Sequence, residues 1–429
     1  MSFRTAISGL NASAAELKVI GNNISNAGTV GFKASRAEFS DLLPVRKPGN
    51  FSLTIGAGVQ LANVAQQFSQ GTINFTNNNL DIAINGNGFF RLSDNGAVVY
   101  SRNGAFGVDK DGYVVNSNGQ RLTGYLAEDG VVSGVLGDIQ LSTADVGPKT
   151  TGEITATLNL NAEETAKGAG DPALAMGAEV FDEDGNAYVP QRFEPPDPKS
   201  YNHATSFTVY DGLGVAHNAT LYFRKTGDNA WEVQMSVDNQ AFVAPDEGTA
   251  LGFTDAGKLN APAGPPLGVL TYAAVPVGTG AADMAFTIDL SATTQFGSPF
   301  GVNALSQDGY ATGQLAGVDV SSDGTIYGRY TNGQSQALGQ VVLANFSNPQ
   351  GLRQLGNTTW AETAESGTPL VSAPGSSSLG VVQSGALEDS NVDLTEQLVA
   401  LITAQRNFQA NAQTIQAMDQ ITQTIINLR

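Results

Sequence analysis

Apolar residues recur at three-and-four spacing at both ends of the chain, while the text between them reads in a different period. Near the C-terminus Leu394, Leu398, Leu401, Phe408, Ala412 and Ile415 keep that spacing, and Met418, Ile421, Ile425 and Leu428 continue it slightly out of phase. The stretch Ala386–Arg429 holds no glycine and no proline, in a chain with 50 Gly and 17 Pro. A helix of roughly 36 residues, about 54 Å long and carrying one apolar stripe, accounts for the pattern. Asp393 is placed to cap its first turn, with Glu396 positioned to complete a capping box. At the other end Phe3, Ile7, Leu10, Ala14, Leu17 and Ile24 form a second stripe, broken only at Gly21. Both read as coiled-coil-like seams. The two helices can pair inside one chain, and that pairing alone uses the same residues. The C-terminal helix is the longer, however, so part of its apolar face is expected to meet other molecules.

The first helix is stopped by Asn22-Asn23-Ile24-Ser25-Asn26-Ala27-Gly28, where side chains compete for local hydrogen bonds and tolerate left-handed backbone. From Thr29 to about Gln70 no period persists, and the segment reads as an extended connector with short ordered pieces such as Phe32–Leu43. From Gly71 the chain changes to strands and tight turns. Leu80–Ile84, Gly88–Leu92 and Val98–Tyr100 are strand-like, separated by Asn85-Gly86, Asn95-Gly96, Asn103-Gly104, Asp111-Gly112, Asn118-Gly119 and Asp129-Gly130. Such pairs supply the positive φ angles of hairpin turns. The texture returns around Ile326–Tyr330 and Val341–Phe346 with Asp308-Gly309, Asp323-Gly324 and Asn332-Gly333. Between the two halves lie strands at Ser206–Tyr210, Ala219–Arg224 and Trp231–Val237 and proline-rich loops from Pro190 to Pro198 and Pro262 to Pro266.

The expected fold is mainly β, with nested antiparallel domains of sandwich or barrel type and a core of N- and C-terminal helices. The terminal helical core takes 1–25 and 391–429, connectors 26–70 and 373–390, one β-domain 71–145 and 284–372, and an inserted outer β-domain 146–283. The chain ends are expected together at one pole and the inserted domain at the other. At 429 residues two to four domains are expected.

Composition narrows the function classes. Net charge is −19, and 146–283 alone holds seven basic and eighteen acidic side chains. Scattered acidity of this kind reads as a hydrated surface and argues against nucleic-acid binding. Cysteine is absent, which removes disulfides and thiolate chemistry. No apolar run approaches the ~20 residues that span a bilayer. Met1–Asn26 lacks the features of a secretory signal, so the amphipathic N-terminus is expected to be retained. His203 and His217 are the two histidines and read as surface residues. Asp109-Lys110-Asp111-Gly112 and Asp182-Glu183-Asp184-Gly185 resemble calcium-loop fragments, but Gln120 and Phe193 stand where the closing glutamate belongs. Ile55-Gly56-Ala57-Gly58 and Asn85-Gly86-Asn87-Gly88 lack the lysine and helix of a phosphate loop. No catalytic, cofactor or metal site is expected, and the chain does not read as an enzyme.

Several separated motifs resemble one family, the axial proteins of the bacterial flagellar rod and hook. They are Ser8-Gly9-Leu10-Asn11-Ala12, Asn22-Asn23-Ile24-Ser25-Asn26 and Thr29-Val30-Gly31-Phe32-Lys33, then Gly71-Thr72, Leu80–Gly86, Gly88-Phe89-Phe90, Tyr100–Gly104 and Asp111-Gly112-Tyr113. Ser384–Glu388, Ser390–Leu394 and Ala404–Phe408 match the C-terminal block. The length, the acidic insertion and Asn411–Ile415 resemble the hook members, since rod members are shorter. The resemblance implies Asn22, Asn23, Asn26, Thr29, Gly31, Phe32, Gly86, Gly88, Phe89 and Phe90 as motif residues. It implies a homopolymer: a hollow flexible tube, with the inserted domain outward, that passes motor torque to a filament. Implied partners are other copies of the chain, the distal rod, hook cap and hook–filament junction proteins, and the type III export apparatus. Implied localisation is the extracellular flagellar hook and basal body, reached without a cleaved signal and without membrane insertion. Phe3, Ile7, Leu10, Leu17, Ile24, Leu394, Leu398, Leu401, Phe408 and Ile415 are the candidate assembly residues. A distal rod or other axial role is the alternative within the family, and a secreted β-rich enzyme or adhesin the alternative outside it.

Overall fold

The computed structural model describes residues 3–42, 56–142, 144–167, 180–181, 187–188, 201–240, 243–262, 266–278, 280–376 and 378–427. The loop from Pro190 to Pro198, the acidic turn Asp182–Gly185 and Leu428 lie outside them. The chain forms two compact units. One comprises Met1–Thr143, Leu315–Arg329 and Ser335–Arg429, the other Ala144–Gln314 and Tyr330–Gln334.

The first unit holds both helices, α1 (Phe3–Ser25) and α2 (Leu394–Asn427). Asp393 caps α2, its Oδ1 accepting from the N–H groups of Thr395 at 2.8 Å and Glu396 at 3.1 Å. The expected connector contains an antiparallel ribbon, Ser35–Leu42 with Gly58–Gln66, in register from Ser35 opposite Gln66 to Leu42 opposite Gly58. A bulge between Glu38 and Phe39 shifts its period, which is why alternation is faint in the sequence. The main sheet runs Leu315–Val320, Thr325–Tyr330, Ser335–Val341, Arg121–Glu128, Phe89–Asp94, Ala97–Ser101, Thr359–Ala361, Arg353–Gly356. Ile82, Phe90, Leu92, Leu122, Ile326 and Leu343 pack its core. Segments far apart in sequence close it: Ile73–Phe75 pairs with Ala386–Glu388, and Ile82–Asn85 with Val381–Ser384.

Most glycine turns behave as the dipeptides suggest, Asn95 and Gly96 at φ 50° and 93° being one example. Asn103-Gly104 does not. A Cβ at Gly104 would stand 1.6 Å from the Ile82 carbonyl oxygen, so glycine serves a close backbone approach there rather than a positive φ.

The second unit is a two-sheet sandwich around a shared core that includes Leu158, Leu221, Phe223, Trp231, Tyr272 and Ile288. One sheet is His203–Tyr210, Ala216–Gly227, Ala230–Val237, Ala250–Phe253, Leu259–Ala261. The other centres on Glu153–Asn161, which pairs antiparallel with Gly301–Gln307 and parallel with Met284–Asp289 and Thr294–Phe296. The composition boundary at 283 therefore shifts. Residues 284–314 were expected with the first β-domain, yet their strands complete the sheet of the second unit.

Candidate functional site

The helices carry the first part of the site. A Cβ added to Gly9 of α1 would meet the Asn411 side chain at 2.8 Å, and Asn23 Nδ2 donates to Gln397 Oε1 at 3.1 Å. Both intervals, 9 to 23 and 397 to 411, are equal, so the pair is antiparallel in constant register and Phe3 lies opposite about position 417. Residues 418–427 of α2 extend past α1 by about 15 Å at 1.5 Å per residue. On α2 the half-buried positions 397, 400, 401, 408, 411, 412, 414, 415 and 418, with buried Ala404, trace the stripe that faces α1.

The expected single stripe of α2 thus divides. Leu401, Phe408 and Ile415 lie on the α1-facing stripe and are half-buried, as are Leu10, Leu17 and Ile24 of α1. Leu398 lies off it and is 50% exposed, beside exposed Val399 and Ile402. Leu394, five full turns before Ala412, is on the stripe but opposite position 26, past the end of α1, and is 49% exposed. Phe3 and Ile7 are also exposed. Ile426, spaced from Phe408 by five full turns, continues the stripe beyond the reach of α1 and is 66% exposed. The residues buried in the helix pair are Ala6, Ser13, Ile20, Asn23 and Ala404, positions that the apolar stripe passed over. A helix pair that leaves this much aliphatic surface in water presents an interface.

The second part lies behind the helices, where the motif segments converge. Glu388, fully buried, receives Lys33 Nζ on Oε1 at 2.6 Å and Arg102 Nη1 on Oε2 at 3.2 Å. Gly71 N–H also donates to Oε1, and Gly31 N–H to the Glu388 carbonyl. Lys33 further donates to the Ser69 carbonyl and Arg102 to the Gly86 carbonyl. Burial pushes Lys33 below the usual lysine range against the opposing pull of Glu388, and it lowers Arg102 in the same way. The Arg102 guanidinium stands over the Phe89 ring at 5.3 Å, with Nε left without a partner. Asn391 completes the joint: its Oδ1 accepts from Ala34 N–H, and its Nδ2 donates to the Gln67 and Ser69 carbonyls. The clamp therefore fastens the segment after α1 and the segment before α2 to one edge of the β-structure.

Most motif residues are explained by this joint. Asn23 is buried and exchanges two hydrogen bonds with the Ser35 backbone. Gly31, at φ 69°, passes so close to Asn103 N that a Cβ would lie 2.5 Å away. Gly86 supplies the Arg102 acceptor, Gly88 turns at φ 125° beside Leu343, and Phe89 and Phe90 are buried. Thr29 Oγ1 donates to Asn26 Oδ1. Asn22, Asn26, Thr29 and Phe32 line a polar cleft of about 440 Å³ with Asn103, Asn118 and Asn357. Lys33, Arg102 and Glu388 sit inside the family motifs but are not among the candidate residues the sequence names. The available signal was a lone charge set among small and apolar neighbours, as in Gly31-Phe32-Lys33-Ala34; Glu388, followed by Asp389, carries no such signal.

The histidines depart from the surface placement expected of them. His217 is buried between carboxylates, and His203 stacks on Phe300 at 4.4 Å. Asp109 Oδ1 accepts from its own turn, from Asp111 and Tyr113 N–H. Among the described residues no group of His, Cys, Asp and Glu is arranged to hold a metal, and no helix is long and apolar enough to cross a membrane.

Four family descriptions match the chain in order. Residues 3–33 match the flagella basal body rod protein family and 83–156 the D1 domain of flagellar hook protein FlgE/F/G. Residues 179–310 match the D2 domain of flagellar basal body protein FlaE, and 383–428 the C-terminal part of flagellar basal body rod FlgEFG proteins. The flagellar hook protein FlgE of Salmonella typhimurium is 40% identical over 441 residues, covering all of both chains. That of Escherichia coli is 39% identical, again over all of both, and that of Rhizobium meliloti 33% identical over all of this chain and 98% of its own. Among solved structures, the Helicobacter pylori flagellar hook protein FlgE2 is similar at 15% identity, over 72% of this chain and 99% of that one, with a TM-score of 0.49. With identity sustained from end to end over all of the chain and its relatives, and with most of the motif residues packed at or beside one joint, the chain belongs to the flagellar hook protein family.

Proposed function

We propose that this chain, a structural subunit of the hook, builds a flexible hollow tube from many copies of itself, with the terminal helices lining the inner wall and the acidic second unit at its outer surface. The observation that carries this reading is the unmatched apolar surface of α2: Leu398, Val399 and Ile402 beside α1, Leu394 past its Ser25 end, and Ile421 and Ile426 past its Phe3 end. A monomer gains nothing from such side chains in water, whereas lateral packing of helices from neighbouring copies buries them. The tube bends while it transmits torque, so contacts between β-units must exchange at little cost while the helical wall stays closed. Rod, cap and junction proteins are the expected axial partners, reached after type III export. The domain scheme that follows is a helical core, a clamped joint, a β-unit and an outer unit.

Ending the chain after Ala417 tests the reading, because the truncation keeps every position opposite α1 and removes only the overhang. Full-length protein is expected to form curved tubes by negative-stain microscopy and to sediment. The shortened chain is expected to stay soluble with both β-units folded. Tubes formed by the shortened chain at the same critical concentration refute it.

A further inference from the structure

His217 is held between two carboxylates of the second unit. Its Nδ1 lies 2.6 Å from Asp238 Oδ2 and its Nε2 3.3 Å from Asp211 Oδ2. A neutral imidazole carries one N–H and an imidazolium two, so the charged ring alone donates to both partners. The carboxylates are themselves committed to backbone. Asp211 Oδ1 accepts from Leu213 and Val215 N–H at 2.9 and 2.8 Å, and Asp238 Oδ1 from Asn218 N–H at 2.9 Å. Asp211 begins the turn between His203–Tyr210 and Ala216–Gly227, and Asp238, at φ 50°, begins the turn that leaves Ala230–Val237. The ring therefore ties two turns together at one end of the five-stranded sheet. The chain enters the unit at the same end, where Thr151 N–H donates to the Tyr210 carbonyl and Tyr210 N–H to Thr151 Oγ1.

We propose that His217 is a proton-operated brace, which as imidazolium holds the turns at 211–214 and 238–240 together and on losing its proton releases one of them. Burial decides which. The Asp211 side chain is fully buried, and its charge has no water to turn to, whereas the Asp238 side chain is 38% exposed. Neutral His217 keeps its proton on Nε2 for Asp211, and the 238–240 turn opens. Burial of the ring works against its charge, but the hydrogen bonds from Asp238 and Asp211 outweigh it and raise the pKa above the ordinary histidine value. These two carboxylates are the charged groups that act on the ring. The brace is fully engaged below pH ~6.5 and is lost as pH rises through the higher folded value. Alkali, not mild acid, loosens this end of the unit.

The test is a histidine NMR titration of the full chain below its polymerising concentration, with His203→Gln identifying the remaining signal. His217 is expected to titrate above 6.5. Over the same range the hydrogen-exchange protection of the Asn218 amide should fall about tenfold for each unit by which the folded pKa exceeds that of the open form. Leu213 and Val215 should keep theirs. Titration at or below 6.5, or Asn218 protection that does not change across it, overturns the proposal. Asp238→Asn, at a partly exposed position, should lower the His217 titration and abolish the step at Asn218. An unaltered titration in that variant also overturns it.

Discussion

Leu398 and Ile402 stand one turn apart on α2, off the stripe that faces α1, and each is 50% exposed. Full burial of such a side chain contributes about 1.5–3 kcal/mol, so sealing the remaining half against a neighbouring copy contributes about 1 kcal/mol each. Replacing both by alanine should therefore weaken assembly by about 2 kcal/mol per subunit, which raises the critical concentration roughly thirtyfold. The monomer should hardly notice, since neither side chain belongs to the α1 contact. The assay is the protein left in the supernatant after sedimentation of polymer, over a series of total concentrations, with thermal melts of the β-units alongside. Ala404→Leu supplies the contrast. Ala404 is fully buried, so a larger side chain pries α1 from α2 at about 1–3 kcal/mol and shows as lost helicity. A Leu398→Ala, Ile402→Ala chain that polymerises within threefold of the normal critical concentration refutes the assignment of this face to assembly.

Glu388→Gln leaves Lys33 and Arg102 buried without their carboxylate and should cost about 3–5 kcal/mol. Trp231 and Trp360 are the chain's two tryptophans, one in each unit, so Trp360 fluorescence in a Trp231→Phe background should report an earlier melt of the first unit. Gly104→Ala places a methyl group against the Ile82 carbonyl oxygen and should destabilise the first unit by more than about 4 kcal/mol, read in the same way. Asp308 is pulled down to about 2: burial opposes the shift, while the Lys149 hydrogen bond and the Glu153 and Gly152 amides overcome it. A depressed carboxyl stabilises above its ordinary value of 3.8 and loses that support as pH falls toward 2. Asp308→Asn should therefore flatten the acid limb of the Trp231 melting curve between those values and leave neutral pH as the region of greatest loss.

Local signals made much of the fold legible. The helices announce themselves through three-and-four spacing that holds but for Gly21 and a phase drift after Ile415, and Asp393 caps α2 where the sequence places it. Ser206–Tyr210, Ala219–Arg224 and Trp231–Val237 fall inside observed strands because each alternates and ends at a turn. What stayed hidden depends on contacts distant along the chain. Met284–Asp289 joins the second unit through a parallel ladder to Glu153–Asn161, and no local pattern names that partner. Lys33 and Glu388 meet across 355 residues. The stripe of α2 looks uniform in sequence because its period records helix faces but not where α1 stops. His217 looks like a surface residue because Asp211 and Asp238 are brought to it only by two separate turns.

The clamp and the helix pair explain each other. Near its Asn23 end the pair is fastened four ways: Asn23 to Ser35 and to Gln397, Asn391 to Ala34, and Lys33 to Glu388. At its other end α2 runs on alone through 418–427, with every described side chain exposed beyond Met418. A helix held at one end and unsupported at the other gains order chiefly from whatever covers its apolar face, because isolated turns are marginal in water. The buried charges therefore set the direction in which the ends leave the β-structure, and the aliphatic surface waits for other copies to complete it. A clamp of polar groups suits that division of labour. Geometry at the joint is fixed by directional hydrogen bonds to Glu388, while the non-directional apolar contacts of α2 remain free to adjust as neighbouring subunits shift.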